Sequence, residues 1–505
     1  MTDFSGLAIA GRIVTPNDAD WDQARMAWNL AADQRPEAVA FVESAEDVAA
    51  TIRFAAEHGL RVSAQGSGHA GPALPSLERT ILIKTERMRG IEVDGGARTA
   101  RVEAGVLSLE LAEAAQAEGL SSLPGSSPDV CVTGYTLGGG LGWLGRRFGF
   151  ACNNVRAIEL VGADGEQRTV DGENDSDLFW ALRGGGGDYG IVTALHLDLF
   201  AVAEVYAGAL VFPAQVGADA IRAYRDWAAN ASEDVTSDIR FLSPPDIPDV
   251  PEPVRGKKLL VIDAAVLGDQ AAGEAAIAPL REIGTPVIDS FGQIPAVGLC
   301  KIHMDPEQPV PGFGHHGVLS ELPDEAIDAF VAAAGPDSGS PLLLAELRQL
   351  GGALSRPAEN AGALSHLDAA FVMIGIGMPV TPQIGEAVNA HLDKLKVAME
   401  PWAAEGGYFN FADRPCDADA ILPPDVCARL AEVKRQWDPD SRILGTHAVS
   451  LDATALGACR LSGHIGHKSD RLACLSASAP GCRLISYDDH VLVANPPRRD
   501  RFVAG

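Results

Sequence analysis

A histidine set among glycines is the first residue in this chain with chemistry to offer. Gln65-Gly66-Ser67-Gly68-His69-Ala70-Gly71 surrounds His69 with three glycines, and glycine lets backbone N–H groups converge closely on an anion. The run satisfies G-x-G-x-x-G by letter, but Pro72-Ala73-Leu74-Pro75 follows where a dinucleotide-binding helix should open. No Gly-Lys-Ser or Gly-Lys-Thr follows either, so it is not a P-loop. A plain turn and a phosphate-binding nest both fit the segment, and His69 reads as a turn cap or as a reactive group. Two more loops repeat the theme, Gly134-Tyr135-Thr136-Leu137-Gly138-Gly139-Gly140-Leu141-Gly142 and Gly184-Gly185-Gly186-Gly187-Asp188-Tyr189-Gly190. Ordering that many glycines is entropically costly. Three such loops between residues 65 and 190 predict a large extended ligand with a pyrophosphate bridge.

Other chemistries find less support. His315 and His316 are adjacent, and His464 and His467 lie near the C-terminal end, but no nearby acid or cysteine completes a coordination pattern. No metal is expected. No G-x-S-x-G stands between a strand and a helix, so a nucleophile elbow is excluded.

The elements that must position the loops alternate. PEAVAFVES reads as a buried strand. SAEDVAATIRFAAEHG reads as a helix capped by Ser44, with acids in its first turn and Gly59 as its stop. The stretches 80–94 and 98–106 each predict a strand, and SLELAEAAQAEG a second helix. From about 201 to 400 apolar strand-like runs alternate with amphipathic helices, as in a sheet covered by helices. Strand–helix units broken by glycine loops indicate an α+β or α/β protein, and no periodic repeat emerges.

The 505 residues include 40 Lys+Arg against 68 Asp+Glu, a net charge of -28. That balance argues against nucleic acid or an anionic membrane as the main partner. Charged residues and glycines interrupt every apolar run short of a membrane span, and no basic-then-apolar leader is visible. Eight cysteines without a CxxC pair do not make a disulfide scaffold. A cytoplasmic protein is expected. Charge is unevenly spread: residues 1–450 carry -30, whereas 451–505 carry +2 and three of the eight cysteines. The last segment predicts an atypical, flexible tail.

Several ordered motifs together resemble the FAD-linked oxidase family, with its vanillyl-alcohol-oxidase (PCMH-type) FAD domain, and within it the berberine-bridge-enzyme-like bacterial flavoproteins. They are WNLAADQRPEAVAFVESAEDV (28–48), QGSGHAG (65–71), EAGV (103–106), TGYTLGGGLGWLGRRFG (133–149) and NDSDLFWALRGGGGDYGIVTALHLDLF (174–200), with YFNFAD (408–413) and LAEVKRQWDPDSRI (430–443) closing the match. The resemblance covers about 20–450.

It implies an α+β fold: an N-terminal segment 1–34, a two-subdomain FAD-binding domain 35–200, a substrate cap 201–400 with an antiparallel sheet covered by helices, and a segment 401–450 returning to the FAD domain. It also implies an FAD-dependent oxidoreductase, an oxidase passing a hydride from a small alcohol, amine or secondary-metabolite substrate to flavin N5 and then to O2. The alternatives are a dehydrogenase with another acceptor or a non-catalytic flavin-binding protein. Gly66, Ser67, Gly68 and Gly71 would surround the pyrophosphate, and His69 would bond covalently to the flavin methyl carbon. Gly134, Gly138, Gly139, Gly140, Gly142, Gly186 and Ile191 would line the rest of the FAD site. Two-link members carry a cysteine where this chain has Ser127, a hydroxyl without thiolate-like reactivity. One covalent bond, through His69, is therefore expected, with Cys131 structural. Tyr408 and Asn410 match the family's YxN segment beside the flavin, Tyr408 as a proton-handling or positioning group and Asn410 as an orienting one. His366 is a further pocket candidate. Leu367 replaces the arginine that some relatives place after it, which argues against an anionic or sugar-like substrate. The expected partners are the substrate and O2, in a monomer or homodimer.

Overall fold

The computed structural model describes residues 2–451 except Asp249; the expected tail lies almost wholly outside them. Three sheets carry the described residues. The first is formed by β1 (Arg12–Val14), β2 (Ala38–Phe41), β3 (Arg61–Gln65) and β4 (Thr80–Lys84) in the order β1-β2-β4-β3. Its β2, β3 and β4 run parallel, and β4, TILIK, is buried at every position, as a strand covered on both faces must be. The helix Ala45–Glu57 packs here. Ser44 caps it by accepting the Asp47 N–H at 3.2 Å, and Gly59 leaves it with φ +62°.

The second sheet is antiparallel: β5 (Ile91–Asp94), β6 (Thr99–Glu103), β7 (Val155–Val161), β8 (Gln167–Asp171) and β9 (Ile191–Asp198), ordered β5-β6-β9-β7-β8. The single strand expected over 80–94 is two, β4 and β5, belonging to different sheets. Residues 86–90 turn the chain between them, where Met88 N–H closes on the Thr85 carbonyl at 2.8 Å.

The third sheet holds eight strands: β10 (Glu204–Pro213), β11 (Val235–Leu242), β12 (Leu259–Val266), β13 (Ile288–Asp289), β14 (Gly292–Pro295), β15 (Phe313–Leu319), β16 (Leu344–Gln349) and β17 (Phe371–Gly377). Its ladders are all antiparallel. The helices 217–230, 270–281, 324–334 and 382–399 cover one face, where Ile239, Phe241, Ile262, Ala345 and Leu347 join their buried apolar residues. Successive strand residues point to opposite faces. Hence Asp238, Arg240, Asp263, Glu346 and Arg348, all buried, occupy the other face. Apolar pattern and charge thus divide this sheet cleanly, and the α+β expectation holds.

After β17 and the helix Pro382–Met399, the chain returns to the second sheet. Phe409, Ala412, Leu430 and Ala431 share a core with Leu178, Leu182 and Val192. The segment YFNFAD holds a short 3-10 turn, Phe409–Phe411. No described helix is long and apolar enough to cross a membrane.

Candidate functional site

The three glycine loops meet at one cavity of about 430 Å³. Gly66, Ser67, Gly68, His69 and Gly71 line it from the end of β3; Ser127, Gly134 and Gly138 from the segment around the helix Val132–Leu137; and Gly186 from the loop before β9. Tyr408 and Asn410 line it from the returning segment. Gly68 and Gly186 hold φ of +90° and +85°, a region that side chains rarely adopt. Among the described residues, the N–H groups of Ser67, Gly68 and His69 donate to no protein acceptor. A nest of uncommitted amides on a cavity wall fits a pyrophosphate-bearing group.

Not every residue expected at the site reaches it. Gly140 and Gly142 are glycines for packing: a Cβ at Gly140 would lie 2.8 Å from the Tyr135 ring, and one at Gly142 would lie 2.2 Å from the Pro124 carbonyl. Gly139 stands just behind the wall, where a Cβ would press on Leu364 and the Tyr408 ring. Ile191 points into the core beside Val62 and Ile83, while its neighbours Gly190 and Val192 line the cavity, as strand alternation requires. His366 is also off the wall; its Nδ1 is buried without a partner.

His69 has close neighbours on two sides. The Trp28 ring stacks on it with centroids 3.9 Å apart, and its Nε2 lies 3.3 Å from Asp129 Oδ1. The Trp28 indole N–H donates to the other oxygen of the same carboxylate. Cys131 sits beneath the loop, its thiol donating to the Ala104 carbonyl at 3.0 Å. Burial pushes that thiol's pKa up, which disfavours the reactive thiolate. Ser127 donates its hydroxyl to Asp305.

The Tyr408 hydroxyl accepts the Leu141 N–H at 2.7 Å and an Asn410 Nδ2 N–H at 3.1 Å. Asn410 Nδ2 also donates to the Tyr135 carbonyl at 2.8 Å, while its Oδ1 fills the space a Cβ on Gly138 would take. Tyr408 is 1% exposed, and burial raises its pKa further above the neutral range. The geometry makes it a positioning group that ties the returning segment to the second glycine loop. The Tyr408 N–H donates to His316 Nε2 at 2.9 Å, and burial, aided by the neighbouring His315, drives His316 down to about 3 and keeps it neutral.

The sequence reading missed the opposite wall, formed by His303, Asp305, Glu346 and Arg348. His303 Nδ1 lies 2.6 Å from Asp305 Oδ1, and its Nε2 3.0 Å from Glu346 Oε2. Arg348 Nε donates to Glu346 Oε1 at 2.7 Å. Burial and the Arg240 charge oppose protonation of His303, but the two carboxylates outweigh them and lift it to about 9. Glu346 is held ionised despite its burial, chiefly by Arg348. Asp238, His303 and Glu346 come close enough to hold a cation, but Arg240 and Arg348 already supply the positive charge there. The signal was legible as charges alternating within apolar strands, SDIRF and LAELRQ. Asp413, a further wall residue, is raised to about 7 by burial alone.

Residues 36–171 match the FAD binding domain family. Over 471 residues the chain is 26% identical to (R)-6-hydroxynicotine oxidase of Paenarthrobacter nicotinovorans, spanning 88% of this chain and 97% of that one. Its fold is that of berberine bridge enzyme from Eschscholzia californica (TM-score 0.74, 18% identity, 89% and 98% of the two chains). It is also that of the glucooligosaccharide oxidase from Acremonium strictum (TM-score 0.71, 21% identity, 88% and 98%), described with a 6-S-cysteinyl, 8α-N1-histidyl FAD. Fold, matched domain and amide-lined cavity define an FAD-dependent oxidoreductase. Within that class the chain shares its fold with berberine bridge enzyme and glucooligosaccharide oxidase.

Proposed function

We propose that this protein is an FAD-dependent oxidase that carries its cofactor on a single covalent bond through His69 and oxidises a small alcohol, amine or secondary-metabolite substrate. The observation that carries the reading is the setting of His69. With Nε2 turned to Asp129 and one ring face under Trp28, the other nitrogen, Nδ1, is left for the flavin. That is the linkage chemistry described for the fungal oxidase of the same fold. Ser127, engaged with Asp305, supports the absence of a second bond.

Gly66, Ser67, Gly68 and Gly71 would hold the pyrophosphate, with Gly134, Gly138 and Gly186 against the rest of the cofactor. FAD, when bound, would supply the two-electron acceptor for a substrate hydride, with O2 as the final acceptor. The chain's own part is orientation and proton handling. Asn410, fixed by Tyr408 and the Tyr135 carbonyl, orients the reacting groups. Glu346 is a poor proton acceptor because Arg348 and His303 hold it ionised. Asp413 is the wall carboxyl whose pKa, about 7, suits the proton released from a substrate hydroxyl or amine near neutral pH.

The test is anaerobic reduction of the holoenzyme followed by mixing with oxygenated buffer. Rapid reoxidation with one peroxide per flavin is expected. Reoxidation too slow to sustain turnover overturns the oxidase reading.

A further inference from the structure

Among the described residues, every carboxylate oxygen on the cap wall of the cavity already accepts a hydrogen bond. Asp305 Oδ1 faces His303 Nδ1 at 2.6 Å, and its Oδ2 takes Ser126 Oγ at 2.9 Å as well as Ser127 Oγ. Glu346 Oε1 takes Arg348 Nε at 2.7 Å, and Oε2 faces His303 Nε2 at 3.0 Å. Both nitrogens of His303 are thereby used. Arg348 is different. Its Nε is committed to Glu346, but Nη1 and Nη2 donate to no protein acceptor among the described residues; the nearest carboxylate oxygen, Asp238 Oδ2, is 3.9 Å from Nη2. The side chain is only 8% exposed yet lines the cavity.

The guanidinium keeps both Nη atoms accessible, so their N–H groups are open to an acceptor that enters the cavity. The surroundings fix its direction. Arg348 lies between the rings of Trp143 and Phe411, 5.7 and 5.5 Å from their centroids, and Glu346 anchors its inner edge. Leu344, Ile374, Ile376 and Met378 make the neighbouring wall apolar. Protonated His303 and Arg348 balance Asp305 and Glu346 on this wall, while Asp413 stands on the returning segment. What the wall lacks is an oxygen acceptor.

We propose that Arg348 is the specificity-determining residue of the substrate pocket, its two free N–H edges binding a carboxylate or phenolate oxygen on an otherwise apolar, ring-bearing substrate. This rests on the oxidoreductase reading above and names the substrate class for it. It departs from the expectation drawn from Leu367, which argued against an anionic substrate.

The test is calorimetric titration of the yellow holoenzyme with benzoate, 4-nitrophenolate and benzylamine, following the flavin spectrum in parallel. At least one of the two anions binds and perturbs the flavin, and benzylamine does not; the two anions separate carboxylate from phenolate recognition. Arg348→Lys keeps the charge but loses the planar fork. The paired Arg348→Met, Glu346→Gln variant removes both charges together, so that no buried ion is left unpaired. Each weakens anion binding by about tenfold or more while flavin content and melting temperature stay near wild type. The wild-type preference for anions stands as evidence even if a variant fails to fold. The inference is overturned if neither anion binds, if benzylamine binds as tightly, or if both folded variants bind the anion unchanged. It also falls if the variants shift the unliganded flavin spectrum but not probe affinity, since Arg348 would then serve the cofactor. A protein that purifies colourless contradicts the oxidoreductase reading itself, a distinct result.

Discussion

His303 Nδ1 lies 2.6 Å from Asp305 Oδ1, and the second oxygen of that carboxylate takes the hydroxyls of Ser126 and Ser127. With His303 Nε2 3.0 Å from Glu346 Oε2, the pair links β16 of the cap wall to the loop that carries Ser126 and Ser127. The pair has a pH signature. His303 is raised to about 9, above the roughly 6.5 of a free imidazole. Its stabilising contribution is therefore complete below about pH 6.5 and lost as pH rises through about 9. Wild type should lose more thermal stability between pH 7 and pH 10 than His303→Gln, as read by melting temperature. Parallel curves would contradict the assignment.

Gly138 has no room for a side chain. A Cβ there would stand 1.9 Å from Asn410 Oδ1, so Gly138→Ala must displace the amide or the loop, at about 1–3 kcal/mol. The purified variant should hold less than half the wild-type flavin per protein by absorbance. Gly140→Ala, whose clash is with Ala151 and the Tyr135 ring, should show chiefly a lowered melting temperature.

Tyr408→Phe keeps the ring and removes the acceptor of the Leu141 and Asn410 N–H groups. A positioning role predicts a stability loss of about 1–3 kcal/mol and a reduced turnover number with an unshifted pH profile. Disappearance of an ionisation from that profile would make Tyr408 a proton-transfer group instead.

Asp413 is lifted to about 7 by burial, with no charged neighbour contributing. As proton acceptor it must be ionised, so kcat/KM should climb with pH and level off above about 7. Asp413→Asn should lower kcat/KM by about 100-fold or more and abolish that limb. If the limb persists in Asp413→Asn, another group takes the proton.

Much of the cofactor side was legible because its requirements are local. Glycines at positive φ and amides without acceptors leave a trace in a single loop, as at Gly66–Gly71. Ile191, Gly140 and Gly142 were placed at the cofactor by the family resemblance; whether each faces the cavity is settled by strand alternation and by the Tyr135 ring, which no motif encodes. The cap wall was harder to read. His303, Glu346 and Arg348 come from a loop and a strand whose meeting depends on the register of β11, β16 and β17, and none belongs to a recognisable short motif. The alternation of Glu346 and Arg348 with Ala345 and Leu347 was visible, but read as apolar it gave only a strand. Trp28 and Asp129, the partners of His69, are distant from each other in sequence and become a pair only in the fold.

The central claim is that His69 carries the flavin, and the most direct measurement is flavin absorbance after acid precipitation. Wild-type protein should give a yellow pellet whose colour survives washing, and His69→Ala a colourless one with any flavin released to the supernatant. Acid-stable flavin in His69→Ala, or a colourless wild-type pellet, would contradict it.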